Sequence, residues 1–99
     1  MTKIVWRQSA INDLDQIFDY IAEEAPDRAV SFTNTLKEKA TFLAENPRIG
    51  ETKLPGHPSV RVFPYQNYLL LFRPLDKIKG IELLRIIHGA RDYMNTYTE

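Results

Sequence analysis

The chain has no cysteine, so disulfide staples and thiolate metal sites are excluded. That fits a reducing compartment. No apolar run approaches the ~20 residues of a membrane span. The opening "MTKIVWRQS" has no apolar core of the kind a signal peptide needs. Charge excess is missing too, because 13 basic and 13 acidic residues cancel. A stand-alone nucleic-acid binder draws most of its affinity from a basic excess, so strong direct nucleic-acid binding is not expected. There are only two histidines, His57 and His88, and no H-E-x-x-H spacing. That composition points to no metal and no cofactor. Three serines, at 9, 31 and 59, stand outside any nucleophile elbow, and no glycine-rich phosphate loop occurs.

What is present suits one globular domain spanning residues 1–99. Hydrophobic content is 43% and charged content 26%, both ordinary for a single modest core. "KIVWRQ" alternates, with Ile4 and Trp6 on one face and Val5 and Arg7 on the other, and predicts a short strand. Ser9 then stands where a helix N-cap belongs. Ile11, Leu14, Ile17, Phe18 and Ile21 recur at helical spacing, which predicts an amphipathic helix over about residues 10–24. Asn12, Asp13, Asp15, Gln16 and Asp19 fill its polar gaps. Pro26 ends that helix and suits the first turn of a second, carried by Ala29, Phe32, Leu36, Ala40 and Leu43. So short a break predicts a helical hairpin.

Residues 44–58, "AENPRIGETKLPGHP", form a long loop with three prolines and two glycines. Loops of that length tend to be functional or mobile. Three strands follow: "SVRVFPY", the nearly continuous apolar "YLLLFRP", and "GIELLRIIH". The apolar middle run suggests a central strand covered on both faces. Asn67 is expected to take positive φ in the tight turn between the first two. The fold class is therefore α+β, in the order β-α-α-β-β-β. A helical hairpin packs on a small, mostly antiparallel sheet, with a short C-terminal helix or tail capped by Asp92.

Cations gather on and around the sheet: Arg61, Arg73, Arg85, His88 and Arg91, with Arg48 and Lys53 in the loop before it. Strict alternation groups Arg85 with Leu83 and Ile87, and His88 with Leu84 and Ile86. Arg85 among apolar neighbours reads either as a structural ion pair or as a guanidinium held for an anion. His88 reads either as a hydrogen-bonded strand end or as a base. Gly89 is expected to turn the chain off the strand.

Three stretches, "AINDLDQIFDYIAEEAPDRAVSF", "LAENPRIG" and the closing "LLRIIHGARD", resemble in order and spacing the ParE-type toxins of the RelE/ParE superfamily of bacterial toxin–antitoxin systems. The likeness spans residues 3–93. It implies the same helical hairpin on a small sheet, a bacterial cytoplasm, and a cognate antitoxin (ParD-like) whose C-terminal segment wraps the toxin.

The superfamily divides between ribosome-dependent messenger endoribonucleases, which need no metal, and poisons of DNA gyrase, which act by binding. Arg61 and Arg85 match phosphate-gripping arginines of the ribonucleases, and His88 could substitute for the tyrosine with which such enzymes close the last strand. The lysine pair before the first arginine is missing, and no tyrosine closes the last strand. "HGARD" resembles the ParE side. The expected function is accordingly gyrase inhibition without catalysis by the toxin. Lys53, Arg61, Arg85, His88 and Arg91 are then contact residues, and Ser9, Gly89 and Asp92 structural ones. The alternatives are an endoribonuclease using Arg61, Arg85 and His88, or a binding-only member without toxicity.

Overall fold

The structure is a computed structural model that describes residues 2–50, 54 and 56–89. Strand β1 (Lys3–Trp6) leads into α1 (Gln8–Ala22) and α2 (Pro26–Glu45). Strands β2 (Arg61–Tyr65), β3 (Tyr68–Pro74) and β4 (Gly80–His88) follow. The sheet order is β1-β4-β3-β2, with β1 parallel to β4 and the other pairs antiparallel. This is the expected α+β order. Arg91, Asp92 and the predicted terminal helix lie outside the described residues, as does Lys53.

The helical hairpin covers one face of the sheet. Ala10, Leu14 and Ile17 of α1 and Leu36, Ala40 and Leu43 of α2 meet Leu70, Phe72, Ile81, Leu83 and Ile86 of the strands. Pro26 opens α2 at its first position, where its missing N–H costs nothing, and Asp27 follows to complement the helix dipole. The opposite face is not bare. Leu54 of the long loop and Val60, just before β2, pack there on Val62, Leu71, Leu84 and Ile87. Leu70, Leu71 and Phe72 of β3 are therefore fully buried between two layers, which explains the unbroken apolar run. Part of the long loop is thus core.

Four sequence expectations change. Helix α1 begins at Gln8 with Arg7 at the N-cap position and no side-chain cap. Ser9 lies inside the first turn, and its hydroxyl donates 2.8 Å to the carbonyl of Leu84. A strand carbonyl with no strand beside it captured the serine that the helix end was expected to hold. Gln66, and not Asn67, takes positive φ in the β2–β3 turn. The strict alternation predicted for β4 fails at a bulge: Leu71 faces Arg85 and Phe72 faces Leu83, leaving Leu84 as an extra residue. Leu83 and Ile86 consequently share the helix-side core, while Leu84 and Ile87 share the other. Finally, Gly89 has no positive φ; its amide donates 2.6 Å to the carbonyl of Asn67, and a Cβ would stand 3.2 Å from that oxygen. Close approach, not left-handed backbone, selects glycine there.

Gly80 is the position where backbone freedom does decide. Its φ is +149°, and a Cβ would land on the carbonyl of Lys3 at the first step of the β1–β4 pairing. Gly80→Ala is expected to destabilise the fold by about 2–3 kcal/mol, from strain plus a displaced β1. Urea denaturation of the variant checks this.

Candidate functional site

Strand β1 runs out before β4 does. The last step of their ladder is the Arg7 amide donating 3.1 Å to the Leu83 carbonyl. Beyond it, Leu84–His88 would present a bare strand edge, and buried backbone groups cannot be left unpaired cheaply. Helix α1 meets this need with two side chains one turn apart. Ser9 satisfies the Leu84 carbonyl, and the carboxylate of Asp13 accepts the Ile86 amide at 2.9 Å. The same carboxylate takes both arms of Arg85, Nε at 2.6 Å and Nη2 at 3.0 Å. This fork-on-fork geometry is the strong form of an ion pair. Side-chain exposure is 12% for Asp13 and 23% for Arg85, so solvent screens the pair only partly.

Past Asp13 the helix and the strand end diverge into a groove. Gln16, Ile17 and Tyr20 form one wall, and Arg85, Ile87, His88 and Tyr68 line the rest. A second hollow continues it toward Arg28, Phe32 and Gln66, and shares Tyr20, Tyr68 and His88. The His88 ring meets Tyr68 edge-on, with centroids 5.3 Å apart and planes at 80°. Tyr68 is packed in turn on Phe32 at 5.7 Å. Burial raises the Tyr68 hydroxyl above its ordinary pKa and Tyr20 adds to the rise, with Arg28 opposing. Tyr68 is thus a neutral phenol at physiological pH.

Of the residues singled out from sequence, Arg85 and His88 come together in this groove, and Arg61 does not. Arg61 opens β2 opposite Phe72, at the far end of the ladder from Tyr65 and Tyr68, whose partner is His88. Four strand steps put it roughly 13 Å along the strands from the Tyr68–His88 row, and β3 lies between it and Arg85. Its Nη1 donates to the Arg48 carbonyl at 2.7 Å and the Gly50 carbonyl at 3.4 Å, bracing the chain where it leaves α2. Among the described residues no three His, Cys, Asp or Glu side chains cluster as a metal site.

Sequence reading placed Asp13 among the polar gap-fillers of α1 and missed it as the partner of Arg85. The signal was there: an arginine inside an apolar strand needs a counter-ion, and Ser9 and Asp13 share one helix face beside the Ala10–Leu14–Ile17 stripe. Glu82 was missed for the same reason. It receives Arg7 Nη2 at 3.1 Å and Arg73 Nε at 2.9 Å, joining the N-cap of α1 to β4 and β3. Burial pushes the Glu82 carboxyl up, but the hydrogen bonds and charges of Arg73 and Arg7 outweigh it and hold it below its ordinary 4.5.

Two outcomes are expected. Asp13→Ala leaves the Ile86 amide without its acceptor and should cost about 2–3 kcal/mol, with Asp13→Asn costing about half as much, because it keeps an acceptor. Chemical denaturation of both variants measures this. Glu82 has a depressed folded pKa, so its contribution is fully present above pH 4.5 and is lost as pH falls through the folded value. Wild-type stability should therefore drop below pH 4.5 more steeply than that of Glu82→Gln. Denaturant midpoints from pH 6 to 3 test it.

Comparison with known proteins bears on what this geometry serves. Residues 4–93 match the model of a family described as ParE toxin of type II toxin-antitoxin system, parDE. A curated relative, Toxin RelE2 of Caulobacter vibrioides, is 32% identical over 91 residues, covering 92% of this chain and 99% of its own. A solved structure described as the chromosomal ParDE TA system from P. aeruginosa superposes with a TM-score of 0.71 at 26% identity. It covers 89% of this chain and 96% of that one. Among the described residues no helix is long and apolar enough to cross a membrane. The chain is a member of the ParE toxin family, within the RelE/ParE superfamily of type II toxin–antitoxin systems.

Proposed function

We propose that this toxin arrests bacterial growth by binding DNA gyrase in the cytoplasm and stabilising its cleaved-DNA state, and that a ParD-like antitoxin encoded beside it holds it inactive. The observation that supports binding over catalysis is the dispersal of the cations. Metal-free phosphodiester cleavage needs several positive groups converging on one phosphate, with a proton donor and acceptor within hydrogen-bond reach. Here Arg61 on the outer strand β2 is turned onto backbone carbonyls of the loop after α2, and Arg85, on β4 with β3 between them, is engaged by Asp13 of α1. The balanced net charge argues the same way, because a ribosomal RNA target rewards a basic excess. The solved ParDE structure and the matched family support a ParD-like partner.

The ribonuclease reading keeps one specific support: Arg85 and His88 share a groove with Tyr20 and Tyr68.

The test incubates purified toxin with gyrase, ATP and supercoiled plasmid and traps cleaved DNA on a denaturing gel. Linear DNA should accumulate with toxin and vanish when antitoxin is added. Growth arrest in cells without any gyrase cleavage, accompanied by messenger cuts at ribosomal A-site codons, would replace this reading with the ribonuclease. No arrest at all would leave a binding-only protein.

A further inference from the structure

The arginines on and beside the sheet are not all settled in the same way. Arg7 and Arg73 share Glu82, and Arg85 holds Asp13 with its Nε and Nη2. Arg61 has main-chain partners only. Its Nη1 donates to the carbonyls of Arg48 and Gly50, and among the described residues no carboxylate meets its Nε or Nη2. Those two atoms form the fork that matches a carboxylate. The brace thus fixes the guanidinium in place and leaves its recognition edge unspent.

Arg48 stands beside it. It is exposed, it gives Arg61 only its carbonyl, and its own side chain has no described partner. Both arginines line a hollow of about 180 Å³ with Ser59, Pro74, Leu75 and Asp76. That is below the roughly 300 Å³ at which small-molecule sites begin, and it suits a single side chain. Asp76 makes no ion pair with either arginine, so the hollow carries one excess positive charge. One carboxylate neutralises such a site. A phosphate chain, with a charge at every step, meets Asp76 as a like charge.

Apolar groups surround the pair. Ile49, next along the chain, and Phe42 are each 40% exposed. Phe42 packs on Phe63 at 6.1 Å, and Phe63 shares a face of β2 with Arg61. Arginine and aromatic side chains, ringed by apolar ones that exclude water, make up an interface hot spot. An extended segment gains little here, because Pro64 removes a donor from the middle of β2 and interrupts any ladder along that edge. The patch fits a preformed protein surface instead. Resting on the proposed function for the partner, we infer that Arg48 and Arg61 together grip a carboxylate side chain on the surface of gyrase, with Phe42 and Ile49 packing around it.

The full-length toxin and its variants are titrated in the gyrase cleavage assay, and the affinity of each for the antitoxin encoded beside it is measured in parallel. Arg61→Gln removes the brace as well as the grip, so the exposed Arg48 and Phe42 carry the test. Arg48→Glu reverses one charge and keeps the carbonyl that holds Arg61. It should raise the toxin concentration for half-maximal cleavage about tenfold, and Phe42→Ala should raise it about fivefold. Antitoxin affinity should stay within about twofold of wild type in both. Cleavage by both variants at wild-type concentrations overturns the inference and leaves the proposed function standing. An equal loss of antitoxin affinity assigns the patch to the antitoxin and overturns it too. So does wild-type binding to a short DNA duplex without gyrase that Arg48→Glu abolishes, because the ligand is then a phosphate. If the wild-type toxin produces no gyrase cleavage, the inference and the reading beneath it fall together.

Discussion

One carboxylate connects the helical layer to the strand it must cover. Asp13 accepts two arms of Arg85 and the main-chain amide of Ile86, and so stands in for the strand that β1 is too short to provide. With Ser9 on the Leu84 carbonyl, α1 acts as a surrogate edge strand whose ladder is made of side chains. The arrangement fixes the helix along β4. That in turn sets the width of the groove where Tyr20 faces Tyr68 and His88. Each partner of Asp13 is a demand created by the fold: an arginine within an apolar strand and an amide past the end of its ladder.

The same economy runs through the other cations. Arg61 ties down the exit of α2, and Arg7 at the N-cap of α1 and Arg73 of β3 share Glu82 of β4. A neutral chain can thus look basic on its sheet while most of that charge is committed internally. Side chains committed in this way hold shape well, and shape is what a protein that works by docking on another protein requires. A phosphate-cleaving centre asks instead for charges converging on one empty point.

Much of the architecture was legible because it rests on local periodicity. The three- and four-residue recurrence that brings Leu14, Ile17 and Ile21 onto the core, with Ile11 left exposed, and the unbroken run through Leu70–Phe72 made both elements legible. The proline at α2 marked its own position. What stayed hidden was set by residues distant in sequence. Ser9 looked like a cap because its competing acceptor is 75 residues away. The faces of β4 were misassigned because a bulge leaves no trace in a hydrophobic pattern where both sides are buried. Asp13 read as solvated because nothing near it in sequence is basic. That Leu54 of the long loop belongs to the second core was hidden as well, because nothing around it in sequence is periodic.

The parallel pairing of β1 with β4 joins nearly the first residues of the chain to nearly the last. Every contact that seats α1 on the sheet edge also waits for β4. During synthesis, therefore, the helical hairpin and the β2–β3 hairpin can form early, but β1 has no partner and the groove does not exist until β4 has emerged. Such high contact order makes folding comparatively slow, in the millisecond-to-second range rather than microseconds. For a member of a toxin–antitoxin family this has a use. A chain without β4 has no groove, and an antitoxin already present would have an interval in which to meet each new copy as it closes.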